Sequence, residues 1–193
     1  MNKNSSILIK KVGLNPTRTG FYKILKKAGA KIKFINVEIK NNEPCGDILV
    51  KSCKINSLKV SKNYYVNSTD EYPILFIIAA LSKGVSIFNG IGDLVNKESN
   101  RIKEMQKILK QVGIKSLSNK NTLKMFGKGM FDASNKVIKV SNLGDHRICM
   151  SAFVLSILIG ARAKIKNFET VYTSSPSFLK IMKTLGAKFE IQK

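Results

Sequence analysis

A chain of 193 residues, 44% hydrophobic and 24% charged, can bury one substantial core, which excludes a disordered segment and a disulfide-stapled miniprotein. Its net charge of +22 is scattered through every segment, with no compact basic tract and no aromatics at a stacking rhythm, so the lysines read as solvated faces and not as a nucleic-acid surface. Cys45, Cys53 and Cys149 are odd in number and form no Cys-x-x-Cys motif, so neither a disulfide framework nor a zinc site is signalled, and a reducing cytoplasm fits.

The start, Met1 to Lys11, has no signal-peptide core. The first helix is expected over Ile24 to Ala28, amphipathic at three- and four-residue spacing, ending at Gly29 before an alternating strand from Lys31 to Ile35. An apolar helix follows from Ile74 to Leu81, led by Asp70-Glu71-Tyr72-Pro73 and ending at Gly84 before the strand Val85 to Phe88. Lys97-Glu98-Ser99-Asn100-Arg101 opens a second surface helix, which runs out at Gly113. Asp145-His146-Arg147 leads a second apolar helix, Ile148 to Gly160, followed by the strand Ala163 to Ile165. The longest apolar run, Ile148 to Ala161, is 14 residues, against the roughly 20 needed to span a bilayer, so it reads as a buried helix and no membrane partner is expected. A last amphipathic helix ends at Gly186 before a strand over Lys188 to Ile191.

Three of these segments are copies of one another: Ile24 to Lys31, Ile108 to Lys115 and Ile181 to Lys188. Their glycines are spaced by 84 and 73 residues, too long for a solenoid turn, so the repeat is a supersecondary module. Strand, buried Asp-led helix, strand, Lys-rich surface helix and further strands define an α/β fold with sheets packed around central helices.

Only four cations are arginine (Arg18, Arg101, Arg147 and Arg162), against 30 lysines. Where nearly every cation is written as Lys, a retained Arg points to a need for the guanidinium fork, which grips a carboxylate or phosphate through two parallel hydrogen bonds. Asp70 and Arg147 fall at or beside helix N-termini, where unpaired N–H groups and the dipole favour an anion. On spacing alone Asp70 and Asp145 also read as N-caps, and Lys97, Glu98 and Arg101 as a surface ion-pair set at i, i+3 and i+4. Taken together, Asp70 and Glu98 offer two carboxylates for proton transfer, and Arg101 and Arg147 two guanidiniums for an anionic substrate.

Gly13 to Gly20 (with Asn15-Pro16-Thr17-Arg18-Thr19), Asp70 to Pro73, Lys97 to Arg101, Gly144 to Ile148 and Leu185 to Lys188, in that order and spacing, resemble the C-terminal half of the 5-enolpyruvylshikimate-3-phosphate synthases over essentially the whole chain. The Asn-Pro-Thr-Arg-Thr-Gly and Asp-Glu-Tyr-Pro strings resemble the glyphosate-tolerant bacterial class most. The resemblance implies repeated βαβαββ units, with residues 1–193 forming the C-terminal domain and the N-terminal domain absent, a separate N-terminal chain being the partner that would supply it. It implies transfer of the enolpyruvyl group of phosphoenolpyruvate to the 5-hydroxyl of shikimate 3-phosphate, with no cofactor. In that reaction it makes Asp70 the proton acceptor and Glu98 the proton donor, with Lys97 touching shikimate 3-phosphate and Arg101 and Arg147 binding phosphoenolpyruvate.

Some positions depart from the family pattern. Members usually read Arg-Val-Lys-Glu-Ser-Asp-Arg where this chain has Val95-Asn96-Lys97-Glu98-Ser99-Asn100-Arg101, and Ser-Phe-Pro where it has Ser174-Ser175-Pro176. Thr173 stands where some members place a phosphoenolpyruvate-binding Lys. The rival expectations are an inactive remnant or basic anion-binding module, and a relative of the transferase that acts on UDP-N-acetylglucosamine.

Overall fold

The computed structural model describes residues 4–190. Its first sheet is antiparallel, built from β1 (Ser6–Gly13), β2 (Lys31–Lys40) and β3 (Glu43–Lys51) in the order β1-β3-β2, with α1 (Gly20–Lys27) joining β1 to β2. Next come β4 (Lys59–Val60), α2 (Tyr72–Ala80), β5 (Lys83–Asn89), α3 (Arg101–Gln111), β6 (Lys115–Ser118) and β7 (Thr122–Lys128). Their four strands form a sheet in the order β4-β5-β7-β6, with β4 parallel to β5 and the other pairs antiparallel. Finally β8 (Val137–Val140), α4 (His146–Ile159) and β9 (Arg162–Ile165) form a parallel pair around a helix, followed by α5 (Thr170–Ser174) and α6 (Phe178–Thr184).

The expected repeat is therefore present. β4-α2-β5-α3-β6-β7 is one complete βαβαββ unit. Elements β1-α1-β2-β3 match its last four, down to the strand order, since β1-β3-β2 mirrors β5-β7-β6. Elements β8-α4-β9 match its opening, with the same parallel pairing as β4 and β5.

Helices α2 and α4 sit at the centre because they are apolar nearly all round and have no polar face to offer water. Seven of the nine residues of α2 are buried, and Pro73 falls in its first turn, where a missing N–H costs nothing. Tyr72, Phe76 and Phe88 of β5 pack ring to ring, with Phe76 and Phe88 edge-on at 4.9 Å. α4 packs against α2 and α3 and is closed by Gly160 at φ 71°, a left-handed C-cap that glycine adopts without a Cβ clash. Gly29, Gly113 and Gly186, which close the three copied helices, all have positive φ as their position in the repeat predicts.

Three local expectations are corrected. The surface helix α3 starts at Arg101 and not at Lys97, because Asn100 is its N-cap and accepts the Lys103 N–H at 3.0 Å. Asp70 does not cap α2: a 3-10 turn, Val66–Glu71, runs straight into the helix, and Glu71 takes the N-cap position with no side-chain cap bond. Lys188 to Glu190 carry no strand, and Ile191 lies outside the described residues. No helix of the described residues is long and apolar enough to cross a membrane.

Candidate active site

The starts of α2, α3 and α4 converge, and each brings charge with it. The 3-10 turn before α2 ends in Asp70 and Glu71. Arg101 is the first residue of α3, and Arg147 lies in the first turn of α4 behind its cap, Asp145. Asp145 is an N-cap as its spacing suggests: Oδ1 accepts the N–H of Arg147 at 3.1 Å and of Ile148 at 3.3 Å.

The other carboxylate oxygen of Asp145 does something the sequence reading did not anticipate. Oδ2 accepts the Arg101 Nε–H at 3.0 Å and the Ser99 hydroxyl at 2.8 Å, and both members of the ion pair are withdrawn from water, with side chains 1% and 0% exposed. Arg101 donates through its second arm to Glu98 Oε2 at 2.5 Å. Its third nitrogen, NH1, is buried, makes no hydrogen bond among the described residues, and lies 3.8 Å from Asp70 Oδ1. Arg101 keeps its i, i+3 pair with the exposed Glu98 but is itself buried. It is an internal brace that leaves one N–H face towards Asp70.

Asp70 collects two further guanidiniums. Its Oδ2 lies 3.1 Å from Arg147 NH2 and accepts a longer bond from Arg18 NH2 at 3.4 Å, while its backbone carbonyl accepts from Arg147 NH1. Arg18 belongs to the loop Asn15 to Thr19, shaped by an Asx turn in which Asn15 Oδ1 accepts the N–H and hydroxyl of Thr17. The loop is seated tightly against the turn that carries Asp70: a Cβ on Gly20 would stand 2.7 Å from the Asn67 carbonyl oxygen, so this contact requires glycine. Glu71, next in the chain, has its pKa raised, first by burial and then by the charge of Asp70, with Arg147 and Arg18 opposing.

Asp70, Glu98, Arg101 and Arg147 thus form one connected ionic network on one side of the molecule. Lys97 does not join it. Its backbone is extended between a 3-10 turn, Gly92–Asn96, and α3, and its ammonium pairs with Asp93 at 2.9 Å. Surface hollows of about 400 and 590 Å³ are lined by none of these five residues. Sequence reasoning missed Asp145, Ser99 and Arg18 as members of the network. The signal available for Arg18 was its rarity, the same that marked Arg101 and Arg147.

No group of three or more His, Cys, Asp and Glu side chains among the described residues could hold a metal ion. What the arrangement offers is paired carboxylates and rigid guanidinium forks, suited to proton transfer on a substrate with carboxylate or phosphate groups.

The backbone is that of an enolpyruvyl transferase. It superposes on EPSP synthase from Acinetobacter baumannii with a TM-score of 0.86 at 30% identity, covering 100% of this chain and 44% of that one. It superposes on the enolpyruvyl transferase NikO from Streptomyces tendae with a TM-score of 0.67 over 95% of this chain and 39% of that one, a likeness at 11% identity that speaks for the fold alone. The chain belongs to the EPSP synthase (3-phosphoshikimate 1-carboxyvinyltransferase) family, whose model matches residues 1–182. It is 36% identical over 185 residues to the 3-phosphoshikimate 1-carboxyvinyltransferase of Petrotoga mobilis and 35% identical over 191 residues to that of Zymomonas mobilis, covering 96% and 97% of this chain. In both cases it spans 42% of the relative's length.

Proposed function

We propose that this chain supplies the C-terminal half of an active site that transfers the enolpyruvyl group of phosphoenolpyruvate to the 5-hydroxyl of shikimate 3-phosphate. The observation that carries the reading is the ionic network at the three helix starts. One carboxylate, Asp70, is ringed by Arg18, Arg101 and Arg147, and Arg101 is held rigid by Asp145 while its buried NH1 makes no hydrogen bond among the described residues.

In the proposed reaction Arg101 and Arg147 bind phosphoenolpyruvate, whose anionic groups meet the buried NH1 of Arg101 and take over the Arg147 N–H bonds that Asp70 holds at rest. Glu98 donates its proton to the methylene carbon, making it a methyl group and leaving C2 open to attack. Asp70 accepts the proton of the 5-hydroxyl as its oxygen bonds to C2. Phosphate then leaves C2 with the C–O bonding pair, taking the proton held by Asp70, while the methyl carbon returns a proton to the Glu98 carboxylate, giving the enolpyruvyl ether and restoring both carboxyls. Lys97 contacts shikimate 3-phosphate. The fixed orientation of Arg101 matters here, because a guanidinium set in place before the substrate arrives need not reorganise as charge develops.

Residues 1–193 are on this reading the C-terminal domain, and a separate chain or segment supplies the N-terminal domain. Support comes from the share of its relatives that the chain spans and from the partial exposure of Asp70, Glu98 and Arg147, which leaves the network open to groups from another domain. A cytoplasmic setting belongs to the same reading and is supported by three free cysteines. The strings Asn15 to Gly20 and Asp70 to Pro73 support the glyphosate-tolerant class.

The test is reconstitution. Phosphate release from the two substrates is expected to be undetectable with this chain alone and to appear on adding a separately expressed N-terminal half from a relative. Product formation that persists at glyphosate concentrations inhibiting a sensitive enzyme would support the class. Failure of any N-terminal half to yield turnover, with both partners shown to be folded and associated, would overturn the function.

A further inference from the structure

Lysine alone is a poor instrument for placing a phosphate, since its ammonium is a point charge at the end of a flexible four-carbon stem. Lys97 is not alone. Its Nζ lies 2.9 Å from Asp93 Oδ2, and the same oxygen accepts the Tyr65 hydroxyl at 2.8 Å. Asp93 and Lys97 are at i and i+4, a spacing at which exposed pairs form readily and contribute little. The third partner sets this pair apart, because Tyr65 is 28 residues away in sequence and belongs to a different element.

Both ends of the arrangement are anchored. Tyr65 packs against the buried ring of Tyr72 with centroids 5.7 Å apart, and its backbone carbonyl accepts the Thr69 hydroxyl at 2.6 Å and the Ser68 N–H at 3.2 Å. It therefore starts the turn that Asp70 and Glu71 finish. Asp93 sits in the 3-10 turn Gly92–Asn96, which presses on the β6–β7 connection: a Cβ on Gly92 would collide with the Asn121 side chain and stand 2.8 Å from the Lys120 carbonyl oxygen. The direction of the Asp93 carboxyl is thus fixed by its turn and by a tyrosine tied to the Asp70 segment. Asp93 is negative and would repel a phosphate, so its effect on an anion passes through Lys97.

We infer that Tyr65 and Asp93 are positioning residues that hold the Lys97 ammonium in register with Asp70, so that an arriving phosphate group meets a cation already in place. The inference rests on the reading of Lys97 as a shikimate 3-phosphate contact. It links two parts of the site that share no direct bond, the Asp70 network and Lys97, through one phenol.

The experiment is NMR of the lysine ¹⁵Nζ groups in the whole chain, with Lys97→Arg supplying the assignment. In the wild type the Lys97 ammonium is expected to be more ordered than exposed lysines such as Lys107. Tyr65→Phe, which removes one oxygen and keeps the packed ring, is expected to bring it to the level of those lysines, with a melting temperature essentially unchanged. Titration with shikimate 3-phosphate should then show affinity weakened about 2- to 12-fold, the cost of ordering one long side chain on binding. Asp93→Asn should weaken it similarly, and Asp93→Glu should restore part of the loss. An unchanged Lys97 signal in Tyr65→Phe, or tighter binding in Asp93→Asn, would overturn the positioning role, the latter by showing that Asp93 competes with the ligand. The order measurement needs no ligand, so it decides that role even when shikimate 3-phosphate leaves Lys97 unmoved, an outcome that removes the substrate assignment instead.

Discussion

Replacing Arg101 by Met tests whether the network is held together by its buried member. Met roughly matches the volume of the Arg stem and removes the charge, so the consequence falls on Asp145, whose side chain is 0% exposed. Breaking a buried ion pair from one side costs about 3–5 kcal/mol, because the surviving charge is left without its partner. Asp145 keeps the Ser99 hydroxyl and the two N–H groups of Arg147 and Ile148, so the expected loss lies at the low end, about 3 kcal/mol. For a chain of this size that lowers the melting temperature by roughly 6–12 °C. Urea denaturation of the wild type, Arg101→Met, Asp145→Asn and the double variant gives the coupling directly. The double variant should be less destabilised than the sum of the singles, since removing both charges leaves nothing to desolvate unpaired. A loss below about 1 kcal/mol for Arg101→Met, the range of exposed pairs, would show that Asp145 is satisfied without it and that Arg101 is no brace.

The other variants separate structure from chemistry. Asp70→Asn removes a carboxylate whose side chain is 29% exposed, so unfolding should change by less than about 1 kcal/mol, while phosphate release by the reconstituted enzyme falls on the order of 10²- to 10⁴-fold; near wild-type turnover would remove Asp70 as the base. Glu71 has its pKa raised above 4.5, so the folded chain holds that proton more tightly than the unfolded one and stability falls as pH climbs through the window between the two values. Glu71→Gln should therefore be increasingly stabilised relative to the wild type as pH rises from 4 towards neutrality, and urea midpoints showing no such trend would count against the burial of this carboxyl. Burial, and then the charge of Asp145, push the Cys149 thiol up to about 11, so a thiol reagent at neutral pH should label the half-buried Cys45 and Cys53 and spare Cys149 until the chain unfolds. Early labelling of Cys149, read by peptide mapping, would show that α4 opens locally.

Features governed by neighbouring residues were legible in the sequence. Gly29, Gly113, Gly160 and Gly186 punctuate helices because the residue after a helix prefers the left-handed region, and the apolar stretches before Gly84 and Gly160 could only be buried. Asp145 was legible as a cap for the same local reason. Asp70 was misread for the converse one, since a cap signature is also what a 3-10 turn running into a helix presents, and the backbone geometry before Tyr72 is set by packing against α1. Asn100 looked like a loss relative to the family pattern, yet it is the cap that fixes where α3 begins, and so why Arg101 points inward. The bonds of Arg101 to Asp145 and of Arg18 to Asp70 span 44 and 52 residues, and no local pattern encodes distances of that kind. The strand expected at Lys188 to Glu190 failed because alternation creates a strand only where a neighbouring edge pairs with it.

Among the described residues β1 pairs only with β3, and its successive residues Ile7, Leu8 and Ile9 are each at least 40% exposed, so both of its faces are apolar. An open, apolar edge strand invites another chain to pair with it. The charge of +22 opposes that approach, because every copy repels every other over a distance set by the surrounding ions. At 0.01 M salt that distance is about 30 Å, more than the width of a strand and its neighbours, and at 1 M it is about 3 Å. The colloidal behaviour of the isolated chain is thus governed by ionic strength: dilute buffer keeps the β1 edges apart, and concentrated salt removes the repulsion and leaves the edges free to meet.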